Sequence, residues 1–252
     1  MSVLPGARSG VEWLDLFDPR ESGRTPPSAV SLKEWLVDFL TLPNEELGRD
    51  GPVCPYVKPS VGHHKLWTGF VRGELTAERT QSVIDDALDL FSSLMRPAGT
   101  HSVQPALIAV FENVTDYAVI DGAHARYKDR FVADGMMLGQ FYPGCSQPGL
   151  WSENFRPLDA PLPMLVVRNM MPSDYPFLVG KSEWLFSYLS RFGRALPVRL
   201  RRSIAESLFE AVGGTAGAIT DHRIHGVEDI DAWASAGRAP ADVQVSRTAS
   251  ER

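Results

Sequence analysis

No stretch of this chain stays apolar for the ~20 residues a helical membrane span requires, so a helix-anchored membrane protein is not expected. Cysteine is scarce: two residues in 252, Cys54 and Cys145, which is too few for a disulfide scaffold. Cationic charge is in the minority, with 25 Lys and Arg against 31 Asp and Glu. The net charge of −6 and pI near 5.5 argue against binding to a nucleic-acid backbone. The opening residues, MSVLPGARSGVEWLDLFD, lack the basic-then-apolar order of a secretory leader, so a cytoplasmic location is expected. Nucleotide, hydrolase and metalloprotease signatures are missing as well: there is no G-x-x-x-x-G-K-[ST], G-x-S-x-G or H-E-x-x-H, and no paired C-x-x-C. Gly213, Gly214 and Gly217 do not follow a strand pattern, which excludes a dinucleotide fingerprint there.

What is present is an ordinary globular composition, 44% hydrophobic and 22% charged, long enough to bury a full core. Residues 1–30 are rich in Pro, Gly, Ser and Arg and read as a loosely attached arm. Ser31 and Glu34 have capping-box spacing ahead of Leu32, Trp35, Leu36, Phe39 and Leu40, which predicts a helix. Residues 43–65 read as loop and Leu66 to Val71 as a short strand. From Thr76 to about Met95, Val83, Ile84, Ala87, Leu88, Phe91 and Leu94 make a stripe of helical period. Pro105 to Phe111 has the composition of a buried strand, and residues 117–133 predict a helix burying Ile120, Ala123, Tyr127 and Phe131. Two further strands, Met136 to Tyr142 and Met164 to Met171, precede helices at Ser182 to Phe192 and Pro197 to Val212. The order β-α-β-α-β-β implies an α+β fold: a mixed or antiparallel sheet with helices packed on one face, followed by C-terminal helices. One domain is expected over 31–233, with a disordered polar tail over 234–252.

The segment joining those last two strands carries the most chemistry. It holds Cys145, Trp151, Phe155 and Arg156 among five prolines and two glycines, a density that rules out a helix and fixes an irregular path. Long fixed loops between paired strands are where sites concentrate. Cys145 is a candidate nucleophile or thiolate ligand and Tyr142 a candidate acid or base; Cys54, in VCPY, is a second candidate thiol. Both thiols also fit a role as small buried hydrophobes. Arg168 interrupts an apolar run, Met164 to Met171. It and Arg156 are candidates to hold a substrate carboxylate, while pairing of Arg168 with Asp174 is the structural alternative. Trp151 is a candidate for substrate contact. Among six histidines, His124 lies beside the apolar stripe of its helix and is the first choice as an axial ligand or base, against a partly buried structural role. His63 and His64 are adjacent and would diverge on a strand. His222 and His225 have ligand spacing, but Gly226 and the acidic residues after it place them at a surface turn, and no metal site is assigned.

GPVCPY at 51–56, GQFYPGCSQPGLW at 139–151, FRPL at 155–158 and LVVRNMMPSDYPFL at 165–178 resemble an actinobacterial domain family of unknown function, often encoded beside natural-product genes. The resemblance covers roughly residues 45–180. Its members carry a cysteine-proline-aromatic motif and then a Phe-His-Pro-x-Cys motif, whose histidine is Tyr142 here. A second similarity, over Val53 to Phe111, is to haem-dependent N-oxygenases of amino acids. It implies a haem whose iron is ligated by Cys54, Cys145 or His124, acting on an amino-acid-derived nitrogen. The combined expectation is an enzyme of secondary metabolism with a small-molecule substrate, most concretely such an oxygenase. The alternatives are a cofactor-independent transferase or cyclase using Cys145 or Tyr142, and a module that binds a small molecule or carrier protein through Tyr142, Trp151 and Phe155. Oligomeric state is open.

Overall fold

The structure is a computed structural model that describes residues 3–95, 105–150, 152–199, 201, 202 and 204. Its first unit, ending at Met170, is built on a six-stranded sheet in the order β1-β2-β3-β4-β6-β5. The strands are β1 (Val3–Pro5), β2 (Glu12–Asp15), β3 (Leu66–Val71), β4 (Ala106–Phe111), β5 (Met136–Phe141) and β6 (Met164–Asn169). Only β3 and β4 pair in parallel; every other pair is antiparallel, which makes the sheet mixed.

The parallel pair is connected by α3 (Ala77–Met95). Thr76 starts that helix: its hydroxyl accepts the Arg79 N–H at 3.2 Å, which satisfies one of the donors a helix leaves unpaired at its N-terminus. After β4 comes α4 (Ala118–Ala133), which buries Ile120, Ala123, Tyr127 and Phe131. It stops because Gly135 adopts φ 77°, the left-handed conformation that closes a helix at least cost in glycine. The chain then runs out along β5, loops, and returns as β6 between β4 and β5.

Strand alternation sorts the core onto two faces. Trp67, Val71, Leu107, Ala109, Phe111, Met136, Leu138, Leu165 and Val167 pack with α3 and α4 on one face. On the opposite face Leu66, Ile108, Val110 and Met164 pack with the segment from Ala29 to Val57. The two long helices share a face, as the sequence pattern indicates. The second face is covered by α1 (Ala29–Glu34), a π-helical turn over Trp35–Phe39 and α2 (Val57–Gly62).

Three expectations are corrected. Residues 1–30 do not form a loosely attached arm, because β1 and β2 extend the sheet and Trp13 is fully buried. Trp13 lies opposite Gly69 of β3, where an added Cβ would come within 3.0 Å of the indole, so only glycine leaves room for the ring. The β1–β2 turn is held down by buried Asp86 of α3, which accepts from Ser9 N (2.8 Å), Ser9 Oγ (2.6 Å) and Arg8 N (3.0 Å). Second, Ser31 is not an N-cap. The bonds Ala29 N to Pro26 O (3.0 Å) and Val30 N to Pro27 O (3.1 Å) have already turned the chain, and the Ser31 hydroxyl donates to Ser28 O. Third, 43–65 is not all loop: Pro59 sits in the first turn of α2, where its missing N–H breaks no helical bond.

The second unit begins at Met171. A 3-10 turn over Pro172–Phe177 is capped by buried Asp174, whose carboxylate accepts the Met171 N–H at 2.7 Å. It leads to α5 (Ser182–Phe192), where the Tyr188 hydroxyl donates to Pro172 O at 2.7 Å and its ring contacts Tyr175 and Phe192. The further helix expected to end at Val212, His222, His225 and the tail over 234–252 lie outside the described residues.

Candidate functional site

Tyr142 follows β5 directly, and the long loop closes on it. Its backbone N–H donates to Leu158 O (3.3 Å), and its carbonyl accepts from Cys145 N (3.2 Å) and Ala160 N (3.4 Å). The loop base is tied a second time by Gly144 N donating to Asp159 Oδ1 at 2.8 Å. Both ends of the loop are thus fixed at one point, which orients the Tyr142 side chain.

The phenol points to α4. Its hydroxyl donates to Asp121 Oδ2 at 2.9 Å, and its ring stacks on Tyr117 with centroids 4.9 Å apart. Burial, together with the Cys145 thiol and the Asp121 carboxylate, pushes the phenol pKa well above its ordinary value, because each disfavours a second negative charge. Tyr142 is therefore a neutral hydrogen-bond donor across the physiological range. The other oxygen of Asp121, Oδ1, is buried and has no hydrogen-bond partner among the described residues. Sequence reasoning passed over Asp121 and Tyr117, though both lie within one turn of His124 or of the start of its helix.

His124 is one helical turn beyond Asp121. Its Nε2 lies 3.1 Å from Leu138 O of β5, and since a carbonyl only accepts, Nε2 carries the proton. Burial lowers its pKa to about 4, Lys128 lowering it further against the opposing Leu138 bond and Asp121, so the ring is neutral at pH 7. Cys145 is 1% exposed. A reactive thiolate needs an electropositive, partly open setting, whereas this thiol faces a phenol and lies near a carboxylate. Arg156 does not supply the missing charge: its Nη1 donates to the carbonyls of Glu153 and Phe155 in its own loop.

The remaining candidates lie elsewhere. Arg168 pairs in register with Met137, five residues before Tyr142. At about 3.3 Å per residue that is roughly 16 Å along the strand, and alternation turns Arg168 to the opposite face of the sheet. Its Nη1 donates to Asn169 O at 2.9 Å. Cys54 belongs to that opposite face too, half-buried in the cluster that includes Trp35, Phe39 and Phe141, with its N–H bonded to Leu40 O. Phe155 is buried and stacks on Phe39 at 6.0 Å, so it is a core ring and does not form one recognition surface with Tyr142. Trp151 lies outside the described residues.

A haem would need an axial donor with an open side. His124 has its Nε2 proton bound to a carbonyl, and the Cys145 sulfur is enclosed beside a phenol; neither fits that role. Cys54 keeps a half-buried thiol in an aromatic-rich cluster. Among the described residues no three His, Cys, Asp or Glu side chains are grouped to hold a metal ion, and no helix is long and apolar enough to cross a membrane.

The fold and site thus define an α+β domain with a mixed sheet and a phenol–carboxylate pair at one strand end. The chain belongs to a family described as a domain of unknown function (DUF6875), whose model matches residues 29–203. That span is wider than the motifs at 45–180 and leaves β1 and β2 outside it. Comparison with curated proteins and with solved structures returns no match.

Proposed function

We propose that the protein is an enzyme of natural-product metabolism that acts on a carbonyl-bearing small molecule by acid–base chemistry at Tyr142 and Asp121, without a bound cofactor. The observation that carries this reading is the 2.9 Å bond between a phenol held neutral and a carboxylate with a second, unpartnered oxygen. A substrate carbonyl oxygen that takes over the Tyr142 hydrogen bond gains a fixed donor where negative charge develops. Asp121, released from the phenol, then accepts the proton from the adjacent C–H or from an attacking N–H. Tyr117, stacked on Tyr142, holds the phenol ring in place. The placement of Tyr142 where relatives carry histidine supports a polar role at this position.

The test is solvent-deuterium exchange into amino-acid-derived 2-oxo acids, followed by proton NMR. Exchange by the wild type, falling by about 10²–10³ in Tyr142→Phe and lost in Asp121→Asn, supports the reading. Exchange that survives in both variants, or no exchange with any member of the set, removes it.

The haem-dependent oxygenase remains a second reading through Cys54 alone, on the strength of that residue's aromatic-rich cluster. Addition of hemin separates the two: a Soret band that shifts in Cys54→Ser favours the oxygenase, and a spectrum equal to free hemin discards it.

A further inference from the structure

Asp15 and His64 form a carboxylate–imidazole pair apart from the Tyr142 site. Asp15 ends β2; its Oδ1 accepts the Phe17 N–H at 3.1 Å, which aims Oδ2 at His64 Nδ1, 2.8 Å away. A carboxylate only accepts, so Nδ1 carries the proton and Nε2 presents its lone pair. The Asp15 side chain is 5% exposed and that of His64 59%, so the orienting group is buried and the working atom faces solvent.

The backbone adds a second observation. His64 has φ 55°, the left-handed region, and is the one non-glycine residue there among those described. That conformation costs free energy in any residue with a Cβ. It is held by bonds from His64 N to Val61 O (3.1 Å) and Lys65 N to Ser60 O (2.9 Å) on one side, and by Asp15 on the other. The chain thus keeps an unfavourable backbone where it presents an oriented imidazole. Asp15 also lies outside the family match and His64 inside it, so the N-terminal strand completes the pair.

We propose that the Asp15–His64 pair is a second reactive centre, in which His64 Nε2 is the nucleophile toward small activated acyl compounds. The Nε2 lone pair forms a bond to the acyl carbon as the bond to the leaving oxygen breaks, and that oxygen departs with its electron pair. Asp15 stabilises the positive charge left on the ring through the Nδ1 proton. Water then attacks the acyl carbon, the C–N bond breaks, the carboxylic acid leaves and neutral imidazole is restored.

The full chain is treated with diethyl pyrocarbonate and modification is located by peptide mass spectrometry, with exposed His63 as the internal comparison. His64 is expected to react faster than His63 by about tenfold or more, the scale on which a carboxylate partner alters an imidazole. Asp15→Asn is expected to bring it down to the His63 rate; if that variant fails to fold, the wild-type ratio decides. Equal rates at the two histidines in the wild type overturn the proposal. With p-nitrophenyl acetate, wild-type release of p-nitrophenolate is expected to fall to background in His64→Gln, and a release rate unchanged by that substitution overturns the acyl-transfer assignment. Tyr142→Phe is expected to leave both readouts unchanged.

Discussion

Replacing Tyr142 by Phe and Asp121 by Asn, singly and together, measures the pair at the centre of the candidate site. A hydrogen bond to a charged acceptor contributes about 1.5–3 kcal/mol. Tyr142 is partly exposed, and water can replace some of what is lost, so the lower end applies. Tyr142→Phe also leaves Asp121 with neither oxygen partnered by protein, since Oδ1 has no partner already. The single variants are therefore each expected to lose about 1.5 kcal/mol in urea titrations, and the double variant to lose far less than the sum. The coupling expected is about 1–1.5 kcal/mol, well outside the roughly 0.3–0.5 kcal/mol scatter of independent sites. The same bond has a pH signature. The folded-state phenol pKa lies above the unfolded value of about 10, so its contribution is complete below that value and is lost as the pH rises through the folded one. The alkaline limb of the stability curve should flatten in Tyr142→Phe. Additive losses with an unchanged alkaline limb would refute the claim that the phenol and carboxylate act as a unit.

Asp86→Ala removes the acceptor of the β1–β2 turn and should lower stability by about 3 kcal/mol, as breaking other buried charge-assisted networks does, read as a drop in melting temperature. Burial raises the Asp86 pKa, but the bonds from Ser9 and Arg8 outweigh it and hold the value below normal, so its stabilisation is present above the usual carboxylate range and disappears as the pH falls through the folded-state value. For His124, with pKa lowered to about 4, the sign follows from the unfolded chain binding the proton first. Stability should fall as the pH drops from about 6.5 toward that value, and His124→Gln should remove this acid loss; an unchanged curve counts against it. With Ellman's reagent, half-buried Cys54 should react in the native state and buried Cys145 only on unfolding; rapid native reaction of both would contradict the enclosed thiol.

Elements with one strong periodic signal were legible in the sequence. The stripe in α3, the apolar run of β4 and the four inward residues of α4 appear where periodicity puts them. What could not be read was set by partners far along the chain. Residues 1–30 look like a tail by composition, yet they join the sheet because Gly69 leaves space for Trp13 and because Asp86 binds their turn. Neither cause is visible near residues 1–30 themselves. The capping spacing at Ser31 was genuine as a pattern but lost to a nearer event, the turn at Pro26–Ser28.

The site followed the same logic. Tyr142 and Cys145 were found because an irregular loop between two strands is a local feature, and their closeness follows from three intervening residues. Their partner Asp121 lies 21 residues earlier, on a helix whose polar side gave no reason to choose one carboxylate over another. Arg168 failed as a neighbour for a geometric reason: in an antiparallel pair the start of β5 meets the end of β6, so a residue late in β6 lies at the far end from Tyr142. Any ligand touching both must reach about 16 Å along a strand and cross the sheet, which no small amino-acid derivative does. Carboxylate binding by Arg168 and chemistry at Tyr142 are therefore separate hypotheses. Arg168→Gln should leave deuterium exchange at the Tyr142 site unchanged, and a large loss of exchange in a folded Arg168→Gln protein would contradict this separation.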